Sequence, residues 1–184
     1  VNKNLPSSQK ALSLLSECGC STKVIAHCKA VSALAVKFAK ACKKNGQDVD
    51  VELVEVGALL HDIGRSKTHG INHSIVGVEI AQSLDLPESI VSIIGRHIGG
   101  GITAKEAKEL DWPVKDYLPT TLEEKLVTYA DKLIEGRKVV PLKKTLDKFS
   151  RELGEKHPAI ERIIRLHEEL VPLIGDSDAN NHSS

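Results

Sequence analysis

The sequence predicts an all-α fold on three observations. Apolar residues recur at spacings of three and four in nearly every segment, no stretch combines strict alternation with β-branched enrichment, and helix-capping residues and glycine or proline breaks punctuate the chain. The 184 residues, 41% of them hydrophobic, are enough to bury one core without disulfide or metal staples. A single helical bundle is therefore expected over 1–175, followed by a short, small and polar tail over 176–184 that is expected to be disordered.

The first helix spans 8–17, and a long second one spans 22–44, opened by Ser21 or Thr22 as cap and closed by Gly46. Asp50 caps a third helix over 51–62, stopped by Gly64. Leu53, Val54, Val56, Ala58, Leu59 and Leu60 cover several of its faces, which places it in the middle of the bundle. Helices follow over 73–84 and 87–98, the second opened by proline and broken by Gly99, Gly100 and Gly101. A short helix is expected at 103–110, and 111–119, with its prolines, tryptophan and tyrosine, reads as an ordered loop or lid. Thr120 or Thr121 caps a helix that runs through Ile134, with Glu123 and Glu124 at its positive end. Amphipathic helices over 141–153 and 158–174 complete the bundle.

Composition excludes some partners. Lys plus Arg and Asp plus Glu both number 25, so no chain-wide field draws the protein to nucleic acid or to an anionic membrane. No specific nucleic-acid binding is indicated, and an anionic substrate would need a local basic cluster. Cys28 and Cys42 sit within an apolar helical pattern, which speaks for thiols and a reducing compartment, and Cys18-x-Cys20 with His27-Cys28 matches no common zinc spacing. With no run of about 18 apolar residues and no signal-peptide pattern, a soluble cytoplasmic protein is expected. Oligomeric state is not legible.

Polar residues on apolar faces carry the chemistry. His27 lies in line with Val31, Leu34 and Phe38, and Asp131 shares its face with Val127, Ala130 and Ile134. His61 and Asp62 end the most apolar helix, His97 follows Ile90, Ile93 and Ile94, and His73 precedes Gly77 and Ile80. Any one of these histidines is more often a hydrogen-bonded core residue than a ligand. Four histidines and two aspartates on core-facing surfaces are hard to satisfy pairwise, whereas a bound metal satisfies them at once. Imidazole and carboxylate suit Fe, Mn, Co, Ni or Zn.

His61-Asp62-Ile63-Gly64 resembles the His-Asp-Ile-Gly signature of the HD-domain superfamily of metal-dependent phosphohydrolases, and His27 upstream with Asp131 downstream follow its order of His, His-Asp, Asp. His73-x-x-x-Gly77, Arg96-His97 and Tyr129-Ala130-Asp131-Lys132 extend the likeness over about residues 27–137. At subfamily level the chain is similar to small archaeal HD proteins and to bacterial hydrolases that cut diadenosine tetraphosphate symmetrically. The resemblance implies one or two divalent transition-metal ions. His27, His61, Asp62 and Asp131 would hold the first, and His73 and His97 the second, bridged by Asp62. It also implies a phosphomonoester or phosphodiester substrate, a nucleotide or dinucleoside polyphosphate, with Asp62 catalytic. Arg65 and Arg96, next to the motifs, are the candidate phosphate-binding residues, while Lys67, Lys132 and Arg137 read as surface charge. An HD-fold di-iron oxygenase or a non-catalytic metal-stabilised module are the alternatives.

Overall fold

The computed structural model describes residues 5–175, so the tail expected at 176–184 lies outside the described residues. The chain forms α1 (Ser8–Glu17), α2 (Thr22–Lys44), α3 (Val51–Leu60), α4 (His73–Ser83), α5 (Glu88–Arg96), α6 (Ala104–Glu109), α7 (Leu122–Lys132), α8 (Leu142–Leu153) and α9 (Pro158–Ile174). Short 3-10 turns at Ile63–Ser66 and Ile98–Gly100 follow α3 and α5. Local chemistry sets the starts: Ser7, Ser21 and Asp50 each accept a bond from a backbone N–H in the first turn of α1, α2 and α3. Thr103 and Thr121 open α6 and α7 with reciprocal boxes closed by Glu106 and Glu124.

The expected helix through 134 stops two residues earlier, and Ile134–Glu135 (β1) pairs antiparallel with Lys138–Val139 (β2). Gly136, at φ 62°, takes the first central position of the two-residue turn, a conformation that favours glycine there. Strands of two residues are too short to show alternation, which is why periodicity missed them.

α3 lies at the centre, packed against α1, α2, α5 and α7. Leu53, Val54, Val56, Gly57, Ala58, Leu59 and Leu60 are all buried, each large side chain contributing about 1.5–3 kcal/mol of apolar transfer. Its contacts are close because small residues allow them. A Cβ on Gly57 would lie 2.4 Å from Cδ1 of Ile93, so α5 rides directly on α3 and His61 and His97 end side by side. A Cβ on Gly64 would lie 1.9 Å from the His73 carbonyl oxygen and 2.6 Å from the Gly77 nitrogen, so the turn after α3 and the start of α4 touch main chain to main chain. The break after His97 is real: Gly99, Gly100 and Gly101 all have positive φ, which turns the chain away and lets α9 close over it.

The segment expected as an ordered loop or lid is pinned down. Trp112 and Tyr117 are buried in a small cluster with Ile102 and Ala107, Ile102 bridges to Tyr117, and the Trp112 indole donates to Asn72 Oδ1 at 2.7 Å, directly before His73. No disulfide forms, since the four cysteines are free. Among the described residues no helix is long and apolar enough to cross a membrane.

Gly64→Ala is expected to destabilise the protein by about 1–3 kcal/mol or more, because the added methyl meets backbone that cannot rotate aside. Urea denaturation measures this, and a wild-type midpoint would show that the two segments part freely.

Candidate metal centre

His61 and His97 end α3 and α5, and His73 begins α4. In each, ring Nδ1 lies 2.7 Å from a carbonyl three residues back, that of Ala58, Ile94 and Gly70 respectively. His27, on α2, places Nδ1 3.1 Å from the Gly136 carbonyl in the hairpin turn. A carbonyl only accepts, so all four rings carry a proton on Nδ1 and donate it outward. A ring that carries no second proton then presents a bare Nε2 lone pair to the interior.

The four Nε2 atoms converge on two carboxylates. His27 Nε2 is 3.0 Å and His61 Nε2 3.5 Å from Asp131 Oδ1, and these two nitrogens stand 3.9 and 3.8 Å from Asp62 Oδ2. The other oxygen of Asp62, Oδ1, is 3.0 Å from His73 Nε2 and 3.6 Å from His97 Nε2. His73 and His97 approach one another at 3.0 Å, Nε2 to Nε2. With their protons on Nδ1 these are acceptors facing acceptors. Accordingly His61 Nε2 and Asp62 Oδ1 are buried without a hydrogen-bond donor. Two groups, His27 with His61 and Asp131, and His61 with Asp62 and His97, have donor atoms within 4.8 Å of one another and could hold a metal ion. The residues present therefore fit a divalent cation, and Asp62 turns one oxygen toward each side.

Electrostatics point the same way. Burial pushes His97 down to about 4, which keeps it neutral. Burial disfavours ionised Asp62 and Asp131, but it is outweighed. The charge on a protonated His61 holds Asp62 well below the usual carboxylate range, and the Lys132 ammonium does the same for Asp131. Burial also opposes charge on His61, yet Asp62 and Asp131 raise it well above an ordinary histidine. Arg65 and Lys132 each neutralise one outer oxygen of the two carboxylates, while the inner oxygens, which face the ring nitrogens, favour a protonated His61 or a bound cation.

The structure brings His27, His61, Asp62, His73, His97 and Asp131 together. The predicted arginines fare differently. Arg65 lines the cleft beside the site, but its Nε is 2.6 Å from Asp62 Oδ2 and one terminal nitrogen is 3.2 Å from the His69 carbonyl, so it is engaged with a site carboxylate. Arg96 is not brought to the centre. It bonds Thr120 at 2.6 Å and Glu124 at 2.9 and 3.0 Å, at the opposite end of α7 from Asp131, so closeness in sequence to His97 misled. Lys67 and Arg137 are exposed. Lys132 is not surface charge: it is buried, with Nζ 2.5 Å from Asp131 Oδ2. Sequence reasoning missed Lys144 and Lys148, which α8 carries back beside Asp131.

The HD-domain family model matches residues 24–136, a span that holds all six residues. The chain is 53% identical over 166 residues to an uncharacterized protein of Methanocaldococcus jannaschii, covering 90% of this chain and 98% of that one. It is also 42% identical over 173 residues to a tRNA (cytidine(56)-2'-O)-methyltransferase of Thermoplasma volcanium and 40% identical to that of Picrophilus torridus, covering 94% of this chain but only 49% of each relative. The chain thus spans about half the length of these two. Among solved structures it resembles the HD domain of the L. monocytogenes phosphodiesterase PgpH, described in complex with cyclic-di-AMP, at a TM-score of 0.53 and 17% identity, covering 95% of this chain and 98% of that one. The chain belongs to the HD-domain superfamily of metal-dependent phosphohydrolases.

Protein loaded with Mn, Fe, Co, Ni or Zn is expected to melt at a higher temperature than chelator-treated protein, by the equivalent of about 2.7 kcal/mol at a hundredfold excess over Kd. Asp131→Ala should lose most of that gain. Equal melting with all five metals would deny the centre a cation.

Proposed function

We propose that this protein hydrolyses a phosphomonoester or phosphodiester of a nucleotide or dinucleoside polyphosphate, using one or two divalent transition-metal ions. The observation that carries this reading is the convergence of four Nε2 atoms and two ionised carboxylates, each oxygen of Asp62 facing a different pair of histidines. His27, His61, Asp62 and Asp131 would hold one ion, and His73 and His97, with Asp62 between, a second. A metal bound here supplies Lewis acidity, offsetting charge on the phosphoryl oxygens and lowering the pKa of water toward neutrality.

The chain's own groups do the rest. Asp62, kept ionised, accepts a proton from the attacking water through one carboxylate oxygen and fixes that water's orientation. The Nδ1 bonds to the Ala58, Gly70, Ile94 and Gly136 carbonyls hold the four rings in the ligand tautomer. Arg65 and Lys132, which line a cleft of about 510 Å³ while paired to Asp62 and Asp131, offset the carboxylate charge that an approaching phosphate would otherwise meet. These cations also favour phosphate over the oxygenase alternative, whose ligands would be the same.

A second reading of the substrate is an RNA-derived phosphate ester. It is supported by the two longer relatives, which are named as tRNA methyltransferases and about half of whose length aligns with this chain.

Metal-loaded protein is expected to release phosphate or nucleoside monophosphate from a panel of nucleotides, dinucleoside polyphosphates, cyclic dinucleotides and short RNAs with terminal phosphates. Asp62→Ala and His61→Ala should each lower turnover by roughly a hundredfold or more. Full activity in either variant would remove the proposed roles, and oxygen uptake by iron-loaded protein with no phosphate release would favour the oxygenase.

A further inference from the structure

The centre opens on two sides that differ in chemistry. On one side the cleft of about 510 Å³ has apolar walls, Ile71, Ile98 and Phe149 among them, and carboxylates at Glu106, Glu109 and Glu152. On the other is a pocket of about 280 Å³ lined by Arg65, Lys132, Lys144 and Lys148. Arg65, Asp131, Lys132 and Phe149 line both, so the two spaces meet at a proposed metal ligand, and the smaller one differs by adding Lys144 and Lys148 beside the single further carboxylate of Glu135.

The cations of the smaller pocket are placed by the fold. Thr145 Oγ1 donates to the Lys132 carbonyl at 2.5 Å, which ties α8 to the end of α7 just beyond Asp131. Lys144 and Lys148, one turn apart, then fall on the face of α8 that borders the pocket. The adjacent face is different. There Lys143 and Asp147, at the same spacing, neutralise one another at 2.7 Å. Like charges at this spacing repel by a few tenths of a kcal/mol, so the Lys144 and Lys148 pair is tolerated rather than stabilising in itself. Lys144 is held by Glu135 at 2.5 Å, Lys132 by Asp131 at 2.5 Å and Arg65 by Asp62 at 2.6 Å. Among the described residues no hydrogen bond or ion pair holds Lys148. Its charge reaches Glu135 only at longer range, so it is the least neutralised of the pocket's four cations.

We infer that the basic pocket is a subsite for a second phosphate, one lying beyond the phosphorus that reacts at the metal centre, while the apolar cleft takes the nucleoside. This rests on the phosphohydrolase reading above and narrows it: the preferred substrate carries at least two phosphate groups. Ammonium donors spaced along one helix face suit a run of phosphate oxygens, whereas a lone monoester would leave Lys148 unused. The second phosphate comes either from a polyphosphate chain or from the neighbouring nucleotide of an oligonucleotide.

Calorimetry on metal-loaded protein with inorganic tripolyphosphate and orthophosphate tests the subsite without turnover. Wild-type protein is expected to bind tripolyphosphate at least tenfold more tightly than orthophosphate, Lys148→Gln to lose most of that preference, and Lys143→Gln, on the neutralised face, to keep it. Equal affinity for the two anions in the wild type, or an undiminished preference in Lys148→Gln, overturns the subsite. In kinetics, a nucleoside triphosphate and a 5'-phosphorylated dinucleotide distinguish the sources, since the true one loses at least tenfold in kcat/KM in Lys148→Gln. Loss on neither overturns the proposal. If no substrate turns over in wild-type protein while the calorimetric preference and its loss persist, the hydrolase reading falls and the subsite stands.

Discussion

Two ionised carboxylates inside a helical bundle are the constraint around which this molecule is organised. Taking one carboxylate out of water costs several kcal/mol even after relaxation, comparable to the burial of two or three leucines. Asp62 and Asp131 together would erase much of a domain's net stability if left uncompensated. The surrounding rings cannot all relieve them by hydrogen bonding, because each Nδ1 donates to a main-chain carbonyl. Arg65 and Lys132 donate to the outer oxygens, Oδ2 of each aspartate, and what remains inside is a set of ring nitrogens and Oδ1 atoms whose energy a cation would lower.

The scaffold follows from that need. His61 and His97 stand at helix C-termini, where the last-turn carbonyls lie within reach of their rings, and His73, at the start of α4, reaches the Gly70 carbonyl of the preceding turn. α3 delivers His61 and Asp62 together, α5 delivers His97 alongside, and the contact at Gly64 brings His73 within 3.0 Å of Asp62. Outside this frame, α8 faces both spaces, lending Lys144 and Lys148 to one and Phe149 and Leu153 to the other.

Much of this was legible in the sequence, and for identifiable reasons. Helices α1 and α2 begin and end where caps and period place them, because Ser21 and Gly46 act locally. The six convergent residues stood out as polar groups on faces otherwise occupied by Val, Leu and Ile. The hairpin did not, because two-residue strands carry no pattern. With it went the Gly136 carbonyl that orients His27 from 109 residues away, a contact no spacing encodes. Arg96 was misjudged because neighbours in a helix point in different directions, and its guanidinium follows Glu124. Lys144 and Lys148 carried no signal of their own, since only the fold of α8 onto α7 brings them to a pocket shared with Asp131.

The main-chain contact between Gly64 and the start of α4 has one more implication. Because backbone rather than side chains sets the gap between Asp62 and His73, that spacing is insulated from drift in the outer helices, and neither α8 nor α9 takes part in the contact. The same rigidity leaves that core little latitude of its own: a bulkier residue at position 64 would separate the halves of the site in a single step, with no graded series of weaker intermediates between a working centre and a lost one.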